Sequence, residues 1–197
     1  NHILINHNGS FSLNPVIISE KRKKEFNNRL MLFFTGIART SAEIAKEQVK
    51  STKEKTAQLS QMSSLVNDAC RVLTAETCDL DDFGRLLHET WMLKRSLTDK
   101  ISNSLIDTIY DTAIKNGALG GKVLGAGGGG FILFYAPVEK QSQIKKALRN
   151  LIHVPFKFDD QGCQIILYAP KQYHSSTYEK LDYIHLQNKN EQIKLRP

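Results

Sequence analysis

Four consecutive glycines, Gly127 to Gly130, stand between two apolar segments, and they limit this chain's fold more than any other feature. The full run is Gly120-Gly121-Lys122-Val123-Leu124-Gly125-Ala126-Gly127-Gly128-Gly129-Gly130-Phe131, followed by Ile132-Leu133-Phe134-Tyr135. Each glycine loses more backbone freedom on folding than any other residue. A plain hairpin needs only one or two of them. The surplus calls for several positions with φ > 0, or for a second backbone or a ligand brought close. Gly125, Gly127 and Gly130 also match the G-x-G-x-x-G dinucleotide pattern. That pattern needs a helix straight after the loop and an acidic residue roughly 20 positions on. Here a strand follows, no such acid is present, and no G-x-x-x-x-G-K-[ST] occurs. The Rossmann and Walker readings both fail.

Around the loop the pattern predicts a sheet with helices on one face. Ile3-Leu4-Ile5, then His7-Asn8-Gly9, then Phe11 and Leu13, reads as a hairpin with an Asn-Gly turn that needs a larger sheet to join. The charged stretch Glu20 to Lys24 reads as a solvated helix face or linker. Leu30 to Phe34 is a continuous apolar run read as a buried strand, ending at Thr35-Gly36. Thr40 or Ser41 caps a helix reaching about Lys55. A second helix carries Leu59, Met62, Val66, Ala69, Cys70 and Leu73 at helical spacing. A third starts at Asp79, with the stripe Phe83, Leu87, Trp91, Lys94. A fourth carries Leu105, Ile106, Ile109, Ala113 and Ile114, and ends at Asn116-Gly117. Strands follow at Lys122–Leu124 and Phe131–Tyr135, then a helix over 138–151. A hairpin of Val154–Phe158 with Gln164–Tyr168 closes the pattern. The class is α+β, and the closing strand order resembles a ferredoxin-like plait.

Composition excludes more than it assigns. With 41% hydrophobic and 24% charged residues, the 197-residue chain reads as an ordinary globular protein able to bury a core. No run approaches the roughly 18 apolar residues of a membrane span. No basic-then-apolar leader is visible, so a cytoplasmic location is expected. Cys70, Cys78 and Cys163 fit neither a disulfide framework nor a zinc pattern. The net charge of +7 favours an anionic partner without choosing among nucleic acid, nucleotide and phosphorylated metabolite.

The run Lys122-x-x-Gly-x-Gly-Gly-Gly-Gly resembles the third motif of the GHMP kinases (galacto-, homoserine, mevalonate and phosphomevalonate kinases). Their C-terminal domain is a ferredoxin-like α+β unit, in agreement with the reading from periodicity. Three further segments resemble the heptose 7-phosphate kinases of that family. They are Leu32 to Arg39, His88 to Arg95, and Gly117 to Lys122. The likeness runs from about Asn14 to Pro137.

The resemblance implies MgATP-dependent transfer of a phosphoryl group to a sugar hydroxyl, with the anomeric hydroxyl of D-glycero-D-manno-heptose 7-phosphate as the expected acceptor. It places the phosphate loop, the acidic catalytic groups and most contacts to ATP and Mg²⁺ in an N-terminal domain. No copy of that loop occurs here, so no catalytic residue and no metal ligand is expected within this chain. On this reading residues 1–18 are a remnant of the N-terminal domain, 19–170 form the C-terminal domain and 171–197 an extension. Gly125, Gly127, Gly128, Gly129 and Gly130 would then line the cleft between the domains.

Arg39 follows a strand end at the mouth of a helix, a natural anion position; a surface arginine pairing locally reads equally well from the residues alone. The resemblance assigns Arg39 to the substrate phosphate, with Thr35 and Gly36 lining the site. Lys94 falls on an apolar stripe, where a lysine either snorkels to water or reaches a buried anion. The resemblance favours the anion. Arg95 reads as solvated, Trp91 as core, and the six histidines show no ligand spacing. The expected partners are the sugar phosphate, ATP and the N-terminal kinase domain, with nucleic acid and membrane excluded and a homo-oligomer left open. Two alternatives remain at this point: another GHMP sugar kinase of the fucose or galactose type, and a basic ferredoxin-like binding module.

Overall fold

The computed structural model describes residues 1–37, 41–159, 162 and 165, and of residues 41–43 the backbone only. The chain divides into the units Asn1–Phe158 and Asp159–Pro197. Of the second, residues 159, 162 and 165 alone are described. Arg39, Thr40, Cys163 and, apart from Ile165, the strand read at Gln164–Tyr168 lie outside the described residues.

β1 (His2–Ile5) and β2 (Phe11–Asn14) pair antiparallel as the expected hairpin. Gly9 supplies the turn's positive φ of 81°, and Asn6 N–H donates to Ser10 O at 2.8 Å to close it. The hairpin joins no larger sheet among the described residues; it is a two-stranded sheet of its own. Its Ile3, Leu4, Ile5, Phe11 and Leu13 are all exposed.

The central sheet has the order β4-β5-β3-β6, with every neighbouring pair antiparallel. Its strands are β3 (Leu30–Phe34), β4 (Gly120–Val123), β5 (Phe131–Tyr135) and β6 (Ile152–Val154). Between β3 and β4 run α2 (Ser41–Ser51), α3 (Thr56–Thr74), α4 (Asp81–Arg95) and α5 (Ser104–Lys115), and α6 (Val138–Ala147) joins β5 to β6. This is the β-α-β-β-α-β order of a ferredoxin-like plait, with four helices in place of its first one. The expected fold class holds. Among the described residues the last strand falls at 152–154, where a strand was expected at 154–158.

Strand alternation decides what is buried. Met31 and Phe33 point to the helices and are 1% exposed each, and Ile132 and Phe134 beside them are fully buried. Leu32, Phe34 and Leu133 on the other face are only half-buried, whereas Tyr135 at the end of that face is fully buried against Phe26 and Phe83, so helices cover that face at one end as well. β3, read as a buried strand, is thus buried at Met31 and Phe33 and half-buried at Leu30, Leu32 and Phe34. Trp91, Ile101, Ile106, Tyr110 and Ile144 complete the core.

The helix stripes shift as well. In α3 the fully buried residues are Leu65 and Val72, whereas Val66 is exposed. In α5 Tyr110 is buried and Leu105 exposed. Helix α4 begins at Asp81, where the Asp79 carboxylate accepts the Asp81 N–H at 2.9 Å.

The charged stretch at Glu20 becomes α1 (Glu20–Asn28), with Ser19 capping it through the Arg22 N–H. Its Arg22 is not solvated. It is 5% exposed, and its guanidinium donates to the carbonyls of Val72 (2.6 Å), Leu73 (2.9 Å) and Cys78 (2.8 Å). The carbonyls of Val72 and Leu73 belong to the last turn of α3, where a cation satisfies orphan acceptors and complements the helix dipole, and that of Cys78 lies in the segment that follows. Arg22→Met should therefore cost about 2–4 kcal/mol and lower the melting temperature by roughly 5–10 °C. Thermal unfolding of the two proteins checks this, and an unchanged midpoint would leave the contact without energetic weight.

Candidate functional site: the glycine loop and its lysines

The loop of residues 124–130 leaves β4 and enters β5, and its backbone bends in ways only glycine takes without strain. Gly125, Gly127, Gly128 and Gly130 have φ of 73°, 113°, 75° and 81°. Space is the second reason. A Cβ on Gly127 would lie 2.6 Å from Ile101 O, and one on Gly129 would lie 2.7 Å from Ile37 O. Both readings of the glycine surplus apply, and the second backbone is the chain's own.

Hydrogen bonds hold the loop from several elements. Gly128 N–H donates to Ile101 O and Gly130 N–H to Ile37 O, each at 2.8 Å. Asn103, the residue capping α5, donates its side-chain amide to Gly128 O at 3.3 Å. Gln48 of α2 donates to Ala126 O at 2.9 Å. Thr35 donates both its N–H and its hydroxyl to Gly130 O, at 2.8 Å each, and its oxygen accepts the Ile37 N–H at 3.3 Å. Thr35 is thus a buried clamp on the loop's C-terminal end. Gly36 beside it is exposed, with φ of 75°.

Lys94 sits at the other end. Its Nζ donates to Gly125 O at 2.7 Å, so the ammonium neither hangs free in water nor stays in the apolar stripe. Helix α4 is set against β4 by two glycines. A Cβ on Gly120 would meet Gly84 O at 2.0 Å and His88 N at 2.6 Å, and one on Gly84 would meet the Tyr135 ring at 2.6 Å. This close packing of helix on strand carries the last turn of α4 to the loop. Burial, with the nearby Lys122 ammonium second, pushes the Lys94 pKa down to about 8. Burial also lowers the Lys122 pKa.

The structure thus gathers Thr35, Gly36, Lys94 and the five glycines around one loop. Arg95 turns out half-buried, paired with Asp107 at 2.9 Å. Lys122 was visible only as a motif residue, and Gln48, Ile101 and Asn103 were not singled out at all. Periodicity alone could have flagged Lys122, because it lies two residues from Gly120 and so shares its face of β4.

Comparison with known proteins ties this fold and loop to the C-terminal domain of the GHMP kinases. Residues 74–153 match the family described as GHMP kinases C terminal. The chain is 32% identical over 139 residues to the D-glycero-alpha-D-manno-heptose 7-phosphate kinase of Campylobacter jejuni, covering 70% of this chain and 41% of that protein. It is 26% identical over 149 residues to the bifunctional fucokinase/GDP-fucose pyrophosphorylase of Arabidopsis thaliana, covering 74% of the chain and 14% of that protein. Among solved structures, L. major mevalonate kinase superposes with a TM-score of 0.59 at 22% identity, over 75% of this chain and 46% of that one. That last likeness concerns the fold alone. The chain spans less than half the length of each of these proteins.

Two outcomes follow. Gly127→Ala meets both positive φ and a backbone wall, so it should cost about 3 kcal/mol or more. Gly125→Ala has nothing within 4 Å of its new Cβ and should show strain alone, about 1–2 kcal/mol. Chemical denaturation of both variants checks the order, and equal losses would mean that the approach to Ile101 does not constrain the loop. For Lys94, the folded pKa of about 8 lies below its ordinary value of 10.5. The unfolded chain therefore binds the proton more tightly, and stability rises with pH across that interval. Lys94→Met should raise the melting temperature most at pH 7 and below, with the gain fading between pH 8 and 10.5. A gain independent of pH would mean that the lysine is not desolvated.

Proposed function

We propose that the whole protein is a MgATP-dependent sugar-phosphate kinase. It transfers the γ-phosphoryl group to the anomeric hydroxyl of D-glycero-D-manno-heptose 7-phosphate, and this chain supplies one wall of its cleft. The observation that carries the reading is a half-buried ammonium, Lys94, bonded to the glycine loop and paired with no carboxylate among the described residues. The likeness to a heptose 7-phosphate kinase supports the same assignment.

Phosphoryl transfer depends on positioning and on stabilising charge. In this reading Lys94 and Arg39 hold the sugar's phosphate, and Thr35, Gly36 and the glycines shape the wall against which the acceptor lies. The phosphates of ATP and the Mg²⁺ ion belong to the N-terminal domain. Among the described residues no three His, Cys, Asp or Glu side chains come together to hold a metal. The exposed apolar hairpin of residues 1–18 belongs with that domain, residues 19–170 make up the C-terminal domain, and 171–197 extend it. A fucose kinase is the second reading, supported by the plant fucokinase relative. Fucose carries no phosphate, however, and would leave Lys94 without an anion.

The test is turnover of the whole protein with MgATP and each of heptose 7-phosphate, fucose and mevalonate. Heptose 7-phosphate should be the preferred acceptor, and turnover of fucose alone would overturn the reading. Lys94→Met should raise the KM for the sugar phosphate roughly 10- to 100-fold, since a charge-assisted contact contributes about 1.5–3 kcal/mol. The KM for ATP should stay near that of the parent protein. The 197-residue chain by itself should show no turnover.

A further inference from the structure

The other cations of α4 have carboxylate partners: Arg85 pairs with Asp82, and Arg95 with Asp107. Lys94 has none among the described residues, and neither does Lys122. Both lie on one seam between α4 and β4. Gly120 marks that seam, because its Cβ position abuts Gly84 O and His88 N of α4. Side chains two residues apart on a strand share a face, so Lys122 also faces α4. Farther along the same seam, Lys94 closes onto Gly125, two residues past the end of β4. Strand and helix run in the same direction here, so Lys122 falls between the Gly120 contact and the Lys94 ammonium. The two ammonium groups are close enough for Lys122 to be felt at Lys94, and both are partly withdrawn from water. Two half-buried like charges side by side are unfavourable unless something negative joins them. No described carboxylate does so.

We propose that Lys122 and Lys94 form a two-cation clamp for one phosphate monoester, with Lys122 a binding residue for the phosphate carried by the sugar. The proposal rests on the reading that a phosphorylated sugar enters at the glycine loop, and it adds the residue that makes the site selective for a dianion over a neutral sugar. On this seam Lys94 alone would offer one charge to a group carrying nearly two, and Lys122 supplies a second independently of Arg39. Lys122 also comes from the strand that ends in the loop, which ties anion binding directly to loop position.

Two measurements test the clamp. In the whole protein, Lys122→Met should raise the KM for heptose 7-phosphate about tenfold or more and leave the KM for ATP near the parent value, while Lys122→Arg should recover much of the loss. Separately, limited acetylation of the unmodified protein, read by mass spectrometry, should label Lys94 and Lys122 among the fastest lysines, and inorganic phosphate should protect the two together. Protection of Lys94 without Lys122 overturns the clamp, as does a Lys122→Met variant with an unchanged KM beside a Lys94→Met variant whose KM rises. Should Lys122→Met fail to fold, the acetylation experiment decides alone. Joint protection by phosphate in a protein that does not turn over heptose 7-phosphate would keep the clamp and remove the sugar assignment instead.

Discussion

The whole arrangement depends on how closely the loop of residues 124–130 approaches its neighbours. At Gly127 and Gly129 the distance from a would-be Cβ to a backbone oxygen is 2.6–2.7 Å, well inside van der Waals contact. Nothing larger than hydrogen can stand there. That exclusion lets Ile101 O and Ile37 O accept the loop's amides directly. Through those bonds β3, the entrance to α5 and the β4–β5 turn become one unit. Displacing the loop would separate Thr35 from Gly130, Asn103 from Gly128 and Lys94 from Gly125 together. The four-glycine run is therefore first a packing device, and packing makes the loop rigid.

A second close approach, between Gly84 of α4 and Gly120 of β4, brings the chemistry to the loop. Ordinary side chains at these two positions would hold the helix farther from the strand. The last turn of α4 would then stop short of Gly125. With the glycines in place, a long side chain from the helix and another from the strand bring two ammonium groups to one seam. Desolvation disfavours their charge, and the sugar phosphate proposed for this site would be their counter-ion. The seam thus carries charge at a cost to stability, whereas Arg22, buried against three carbonyls, uses the same kind of charge to hold α3 and α1 together.

The local sequence was legible wherever one face of one element decided the outcome. The strands Leu30–Phe34 and Phe131–Tyr135, the Asn116-Gly117 stop and the Asn-Gly turn all follow from short-range chemistry. The stripes of α3 and α5 slipped because periodicity gives an apolar face but not which edge of it meets the sheet. Leu65 rather than Val66, and Tyr110 rather than Leu105, became buried through the placement of neighbouring helices. Arg22 was read as solvated because its three acceptors lie about 50 residues away in sequence. No local pattern records that distance.

By itself the sequence determined the class of fold, the loop and the presence of a cation near the stripe of α4. Those features depend on residue type and spacing: a glycine run between apolar strands, and helical periods ended by glycine. Only the tertiary structure decided what the loop presses against, that Thr35 spends its hydroxyl on Gly130, and that Lys94 reaches Gly125. It also decided that Lys122 stands on the same seam. Each of these is a contact between elements far apart in the chain, and its geometry exists only once the helices are seated on the sheet.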